Sequence, residues 1–273
     1  MPRLNPRFRD LPRRGIPLRA VAPNAVTALA LCFGLSAVRF AIAEQWELAV
    51  GTIILAGVLD GLDGRIARLL KGESRFGAEL DSLSDVIAFG VSPAVVMYLW
   101  SLQYMPQFGW TIALSHAVCC ALRLARFNAQ IDATEQPRKA AGFFTGIPAP
   151  AGAGLVMLPL YVWLAFGQQV EIFRSAYIVA PWTAMAAILM VSSVATFGWG
   201  SLRLRRGIRF EAIAVIAIVG GALISAPWPT LSLFTLGYLG AIPFSARAYA
   251  RIKRQRASVA RQPSAPPASD LPS

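Results

Sequence analysis

Apolar residues in this chain come in long runs broken by short basic stretches, not in the alternating or one-sided patterns of soluble strands and helices. A helix that crosses a bilayer needs about 20 mostly apolar residues. Eight runs meet or approach that length: Asn24–Ala43, Trp46–Leu70, Gly77–Trp100, Gly109–Asn128, Pro150–Phe166, Ala176–Phe197, Phe210–Ala226 and Thr230–Tyr249. The pattern predicts an all-α integral membrane protein of about eight transmembrane helices. Beyond the last run, residues 251–273 are rich in Ser, Pro, Ala and basic residues and read as a disordered tail.

The basic residues give the runs a direction. Every Lys and Arg except Arg39 and Arg174 lies before the first run, or at and beyond the ends of the second, fourth, sixth and last. The positive-inside rule then places both termini and every basic loop in the cytoplasm. An odd number of crossings would scramble that alternation. Composition agrees: 56% of the 273 residues are hydrophobic and 15% are charged, against about 45–50% and about 25% in soluble domains. The net charge of +12 would point to nucleic acid in a soluble protein. Flanking apolar runs, it points to anionic membrane lipids instead. Cys32, Cys119 and Cys120 sit inside apolar runs without metal-ligand spacing and read as core residues.

Acids inside those runs change the picture from scaffold to site. Most carboxylates lie in loops or at run ends, but Asp60, Asp63, Asp81 and Asp85 do not. Ionisable residues at such positions mark function by default. Asp60 and Asp63 are i,i+3 and share one helix face; Asp81 and Asp85 are i,i+4 and share another. A short polar connection between the two runs predicts antiparallel helices whose four carboxylates converge near the cytoplasmic surface. So many like charges need cations, and hard oxygen donors suit Mg²⁺, Mn²⁺ or Ca²⁺. His116, the single histidine, lies on another run and reads as a core residue. Gly61 and Gly64 leave open surface beside the acids, Arg68 follows on the same face, and Gly77 opens the facing helix. An ion-paired structural hairpin would explain the glycines but not four acids with so few bases. A cation or proton transporter would also carry such acids, but usually near the membrane midplane and within a repeat.

The stretch Asp60-Gly-Leu-Asp63-Gly64-Arg-Ile-Ala67-Arg68, eight residues, then Gly77-Ala-Glu-Leu-Asp81-Ser-Leu-Ser-Asp85 resembles the motif of the CDP-alcohol phosphatidyltransferases at every fixed position. That motif is D-x-x-D-G-x-x-A-R-x8-G-x3-D-x3-D. The resemblance implies a helical membrane enzyme that moves a phosphatidyl group from a CDP-linked lipid to an alcohol, releasing CMP. It implies two divalent ions on Asp60, Asp63, Asp81 and Asp85, with Asp85 also the base. Asn24, Thr27, Gly64, Ala67, Arg68, Ser74 and Gly77 are the implied contacts to CDP-diacylglycerol. It further implies a homodimer in the cell membrane with its active site facing the cytoplasm. Residues 1–22 would then be a basic cytoplasmic segment and 23–250 the transmembrane catalytic domain.

Three further segments resemble the serine-using branch of that family: Asp81–Ala94, Leu122–Asn128 and Phe144–Pro150. They imply L-serine as acceptor, with glycerol-3-phosphate, inositol or choline as the alternatives under the same chemistry. Arg123 and Arg126, i,i+3 at the end of the fourth run, suit a fork on the serine carboxylate. They equally suit topology anchors that snorkel to lipid headgroups. Asn128 and Thr145 are polar candidates for the amino or hydroxyl group.

Overall fold

The computed structural model describes residues 18–70, 72, 74–131, 143–197 and 209–260. Helices occupy all eight apolar segments. Two stretches, Val21–Ile42 and Arg75–Trp100, are long and apolar enough to cross a membrane. The others are shorter, less apolar or interrupted by charge. The chain forms two compact units, Met1–Trp100 and Ser101–Ser273.

In the first unit, α1 (Leu18–Ile42) and α2 (Trp46–Leu70) form a hairpin. Ala30, Ala37 and Ala41 of α1 are buried, as are Ala49, Val50, Ile53 and Ala56 of α2. Small side chains let the two backbones approach closely, which is how helices gain packing energy where hydrophobicity alone cannot drive association. Glu44, with φ 57°, turns the chain in the left-handed region, and the Gln45 N–H donates to the Phe40 carbonyl at 2.9 Å. Beyond α2, Ser74 caps α3 (Arg75–Asp85), its Oγ accepting from the Gly77 N–H at 3.0 Å. The helix does not stop at Asp85. A π-helical turn, Val86–Val91, carries it into α4 (Ser92–Trp100). That turn is wedged between α1 and α2. A Cβ on Gly34 would stand 2.8 Å from the Ala88 Cα and Cβ, and one on Gly57 would stand 3.5 Å from the Phe89 ring.

In the second unit, α5 (Gly109–Ile131) packs on α8 (Ala176–Val191). Between them in sequence, α6 (Ala149–Val156) and α7 (Leu158–Ala165) are separated by a break at Met157. Pro159 has no N–H to offer the Leu155 carbonyl four residues back. Trp182 Nε1 of α8 donates to that carbonyl instead, at 2.7 Å. The short strands β1 (Phe143–Thr145) and β2 (Ala195–Phe197) pair antiparallel, with Phe144 opposite Thr196. Gly146 follows at φ +75°, where a Cβ would stand 2.7 Å from the Met190 carbonyl oxygen. Two helices complete the unit, α9 (Arg209–Ser225) and α10 (Pro227–Ala260), with α10 packed on α7 and β2. The tail expected to be disordered from residue 251 is helical as far as Ala260; its Arg, Lys, Gln and Ala residues are good helix formers. Likewise α1 begins at Leu18, inside the segment expected to precede the membrane domain.

The Gly34 contact is backbone against backbone, so neither side can yield by rotating a side chain. Gly34→Ala should lower stability by about 1–3 kcal/mol through overpacking. Gly51→Ala, with nothing within 4 Å of its Cβ, should be neutral or stabilising by up to about 1 kcal/mol. Thermal unfolding of the two variants in detergent checks the contrast.

Candidate active site

The sequence spacing presents the acids on two helices; the fold decides how they meet. One carboxylate oxygen from each of Asp60, Asp63 and Asp81 lies within 4.8 Å of the others. Asp63 is 5% exposed, whereas Asp60 and Asp81 are half-buried. Asp85 stands outside this trio, its carboxyl within hydrogen-bond reach of Asp60.

The first helix, α1, holds both acid-bearing helices. Thr27, 4% exposed, donates from Oγ1 to Asp63 Oδ2 of α2 at 2.7 Å. Ser84 of α3, 3% exposed, donates to the Thr27 carbonyl at 3.3 Å. Asn24 fills the space beside Gly77 of α3: a Cβ on that glycine would stand 2.8 Å from Asn24 Oδ1. Gly77 therefore does not open the helix to a ligand, contrary to expectation. Its missing side chain makes room for α1. Ser84 was not among the residues expected at the site, because a small polar residue between two aspartates carries no spacing signal of its own.

The open surface lies on α2. Gly61 and Gly64 are exposed, and a Cβ on either would meet nothing within 4 Å. Arg68 is also exposed and donates from Nε to the Gly64 carbonyl at 3.0 Å, which lays its guanidinium along this face. Ala67 is half-buried beside it. Ser74 Oγ is engaged in capping α3.

Among the described residues, the groups acting on the four aspartates are other carboxylates, the Thr27 hydroxyl and the Gly64 backbone N–H; no lysine or arginine pairs with them. Two unit charges 4 Å apart repel by about 4 kcal/mol at an effective dielectric constant of 20. The donor set fits a divalent cation. Oxygen ligands sit about 2.0–2.6 Å from Mg²⁺ or Ca²⁺, so ligands across one ion are about 4–5 Å apart. The spacing of the trio falls within that reach.

In the second unit, Arg126 is exposed and donates from Nη1 to the Val191 carbonyl at 3.1 Å, at the C-terminal end of α8. Arg123 and Asn128 are half-buried on α5. Thr145 lies in β1 opposite Ala195, and its side chain falls outside the described residues. Lys71, Arg138, Lys139, Arg203, Arg205 and Arg206, of the basic stretches between the apolar runs, also lie outside them.

Residues 20–199 match the sequence pattern of a family described as CDP-alcohol phosphatidyltransferase. The chain belongs to that family. A second pattern, CDP-alcohol phosphatidyltransferase 2, matches residues 208–243. The chain is 40% identical over 235 residues to a CDP-diacylglycerol–serine O-phosphatidyltransferase of Mycobacterium tuberculosis, covering 86% of this chain and 81% of the relative. The like-named protein of Mycobacterium leprae is 39% identical over 233 residues, 85% of this chain and 76% of its own. That of Helicobacter pylori is 40% identical over 136 residues, half of this chain and 55% of its own. All three are named as transferases, and the transporter alternative has no support.

For a CDP-alcohol phosphatidyltransferase the crowding of carboxylates has a measurable consequence. Without divalent ions the cluster is internally repulsive, so removing one charge should stabilise the fold. Asp81→Asn should unfold in chelator at a temperature about 2–4 °C above the unmodified protein, the shift expected for about 1 kcal/mol in a protein of this size. Thermal scans with and without chelator check it, and a lower midpoint in chelator would contradict the repulsion argument.

Proposed function

We propose that the protein transfers the phosphatidyl group of CDP-diacylglycerol to the hydroxyl of L-serine, giving phosphatidylserine and CMP. The observation that carries this reading is the meeting of Asp60, Asp63 and Asp81 beside an open glycine face, in a family member similar to serine-using transferases along most of its length. When bound, two divalent ions (Mg²⁺ or Mn²⁺, with Ca²⁺ as another occupant) supply Lewis-acid stabilisation of the pyrophosphate charge. Asp60, Asp63, Asp81 and Asp85 hold them, and Thr27 fixes the orientation of Asp63 as an outer partner of a ligand does. The face formed by Gly61, Gly64 and Arg68 takes the phosphates, and the Arg68 guanidinium offsets the charge on departing CMP. Asp85 accepts the proton of the serine hydroxyl as its oxygen attacks the lipid-proximal phosphorus. The new P–O ester bond forms, and the P–O bond to CMP breaks. No enzyme nucleophile intervenes in this scheme; positioning and electrostatics do the work.

Arg123 and Arg126 are the proposed readers of the serine carboxylate, with Asn128 and Thr145 on the amino or hydroxyl group. The enzyme is proposed to cross the cell membrane eight times with both termini and the active site in the cytoplasm. Reporter fusions after Arg75 and at the C-terminus should then read cytoplasmic, and those near Met105 and Pro227 should read the opposite side.

The deciding assay gives purified protein CDP-diacylglycerol and, in turn, serine, inositol, glycerol-3-phosphate or choline. Serine alone should yield lipid product; EDTA should abolish it, and Mn²⁺ or Mg²⁺ should restore it. Turnover of another alcohol in preference to serine would overturn the acceptor, and full activity in chelator would overturn the mechanism. Asp85→Asn should keep CDP-diacylglycerol binding better than turnover, losing about 10²–10⁴-fold in kcat as general-base loss does.

A further inference from the structure

The last helix, α10, is longer than a bilayer is thick. Its 34 residues rise about 51 Å at about 1.5 Å each, against about 30 Å of hydrocarbon core. Trp228 and Tyr249, of the type that favours membrane interfaces, bracket a stretch of the length needed to cross. With α10 as the last crossing, the helix reaches the cytoplasmic headgroups at about Arg247. Its final turns extend beyond them.

On this helix Leu233, Leu236, Gly240, Phe244, Arg247 and Arg251 recur at intervals of three and four and so share one face. All six are exposed, Leu233 at 74% and Phe244 at 66%. Ile242 and Ser245, on the opposite side, are buried. The exposed face passes from apolar to basic within a single turn. A Cβ on Gly240 would meet nothing within 4 Å, which leaves a gap between Leu236 and Phe244. Basic residues at a membrane boundary and apolar side chains facing lipid are each general features. Here they are joined in one line, with the gap on the apolar side of the arginines. Two guanidiniums one turn apart suit the oxygens of a phosphate, and α10 has no Asp or Glu to compete for them.

We infer that this face seats one anionic glycerophospholipid of the cytoplasmic leaflet. Its phosphate lies at Arg247 and Arg251, and one acyl chain runs over Gly240 between Leu236 and Phe244. Charge makes the selection: the headgroup ammonium of a zwitterionic lipid is repelled by the arginines, whereas a net negative headgroup is not. The seat belongs to the second unit alone. It rests on the reading of α10 as the last crossing, not on the identity of the acceptor alcohol.

The test titrates delipidated full-length protein with phosphatidylglycerol or phosphatidylcholine of matched acyl chains, and native mass spectrometry counts the lipids retained. Chelator is present, so that no metal at the acidic cluster holds a phosphate. Phosphatidylglycerol should fill one tight seat that phosphatidylcholine does not. Arg247→Gln/Arg251→Gln should weaken that binding about 30-fold, since each cation near anionic lipid contributes about 1 kcal/mol and about 1.4 kcal/mol is tenfold. If the double variant does not fold, Arg251→Gln alone should lose about fivefold. Gly240→Leu, which fills the gap and keeps both charges, should also weaken retention. Arg68→Gln should not; a loss there would put the lipid on the face of α2 and overturn the seat. Equal binding of the two lipids, or unchanged binding in the arginine or glycine variants, overturns it as well. A C-terminal reporter outside the cytoplasm overturns the last crossing and the seat together, whereas a cytoplasmic reporter with equal lipid binding overturns the seat alone.

Discussion

The hydrogen bond from Thr27 to Asp63 is the contact on which the first unit turns. Ionised aspartates cannot be gathered by attraction, because like charges repel, and only Asp60 and Asp85 come within hydrogen-bond reach of each other. They are held by groups that carry no charge. Thr27 grips the acid of α2, its carbonyl takes Ser84 of α3, and Asn24 occupies the notch at Gly77. One helix without a carboxylate in its described length therefore fixes two helices that carry them. The repulsion stored there is the reason divalent ions have something to gain by binding: the packing that opposes it is already in place when they arrive.

The same logic of neutral satisfaction runs through the rest of the chain. In an apolar surrounding an unpaired backbone carbonyl costs several kcal/mol, so side chains answer for irregularities in the helices. Trp182 replaces the donor that Pro159 lacks. Arg126 serves the carbonyl of Val191, where α8 ends. Ser36, Thr52 and Ser232 return to carbonyls one turn back on their own helices.

What could be read from the chain was what local spacing encodes. Apolar runs located the helices, and i,i+3 and i,i+4 intervals put the aspartates on two faces, since both depend only on helix geometry. The antiparallel pairing of those two helices was a weaker inference. In the structure α3 leans on α1, a contact between residues far apart in sequence that no periodicity records. Gly77 shows the limit well: a glycine four residues before an aspartate looks the same whether it admits a ligand or a neighbouring asparagine. The tail was misjudged for a different reason. Its composition suggests disorder when averaged over residues 251–273, yet the first part continues a helix already nucleated upstream, and propagation is far easier than initiation.

The π turn after Asp85 has a consequence for how this helix tolerates change in length. A π turn accommodates an extra residue within a helix that otherwise advances about 100° per residue. The segment Val86–Val91 is thus a phase shifter. Upstream of it the helix aims Asp81 and Asp85 at the acids of α2; downstream it aims Met97 and Trp100, both 0% exposed, into the core. Deleting one residue here would restore a regular α-helix and leave every hydrogen bond in the ladder intact. Yet it would swing the aspartates by about a quarter turn relative to the buried face below them. This is the place in the molecule where the most regular helix would be the wrong one.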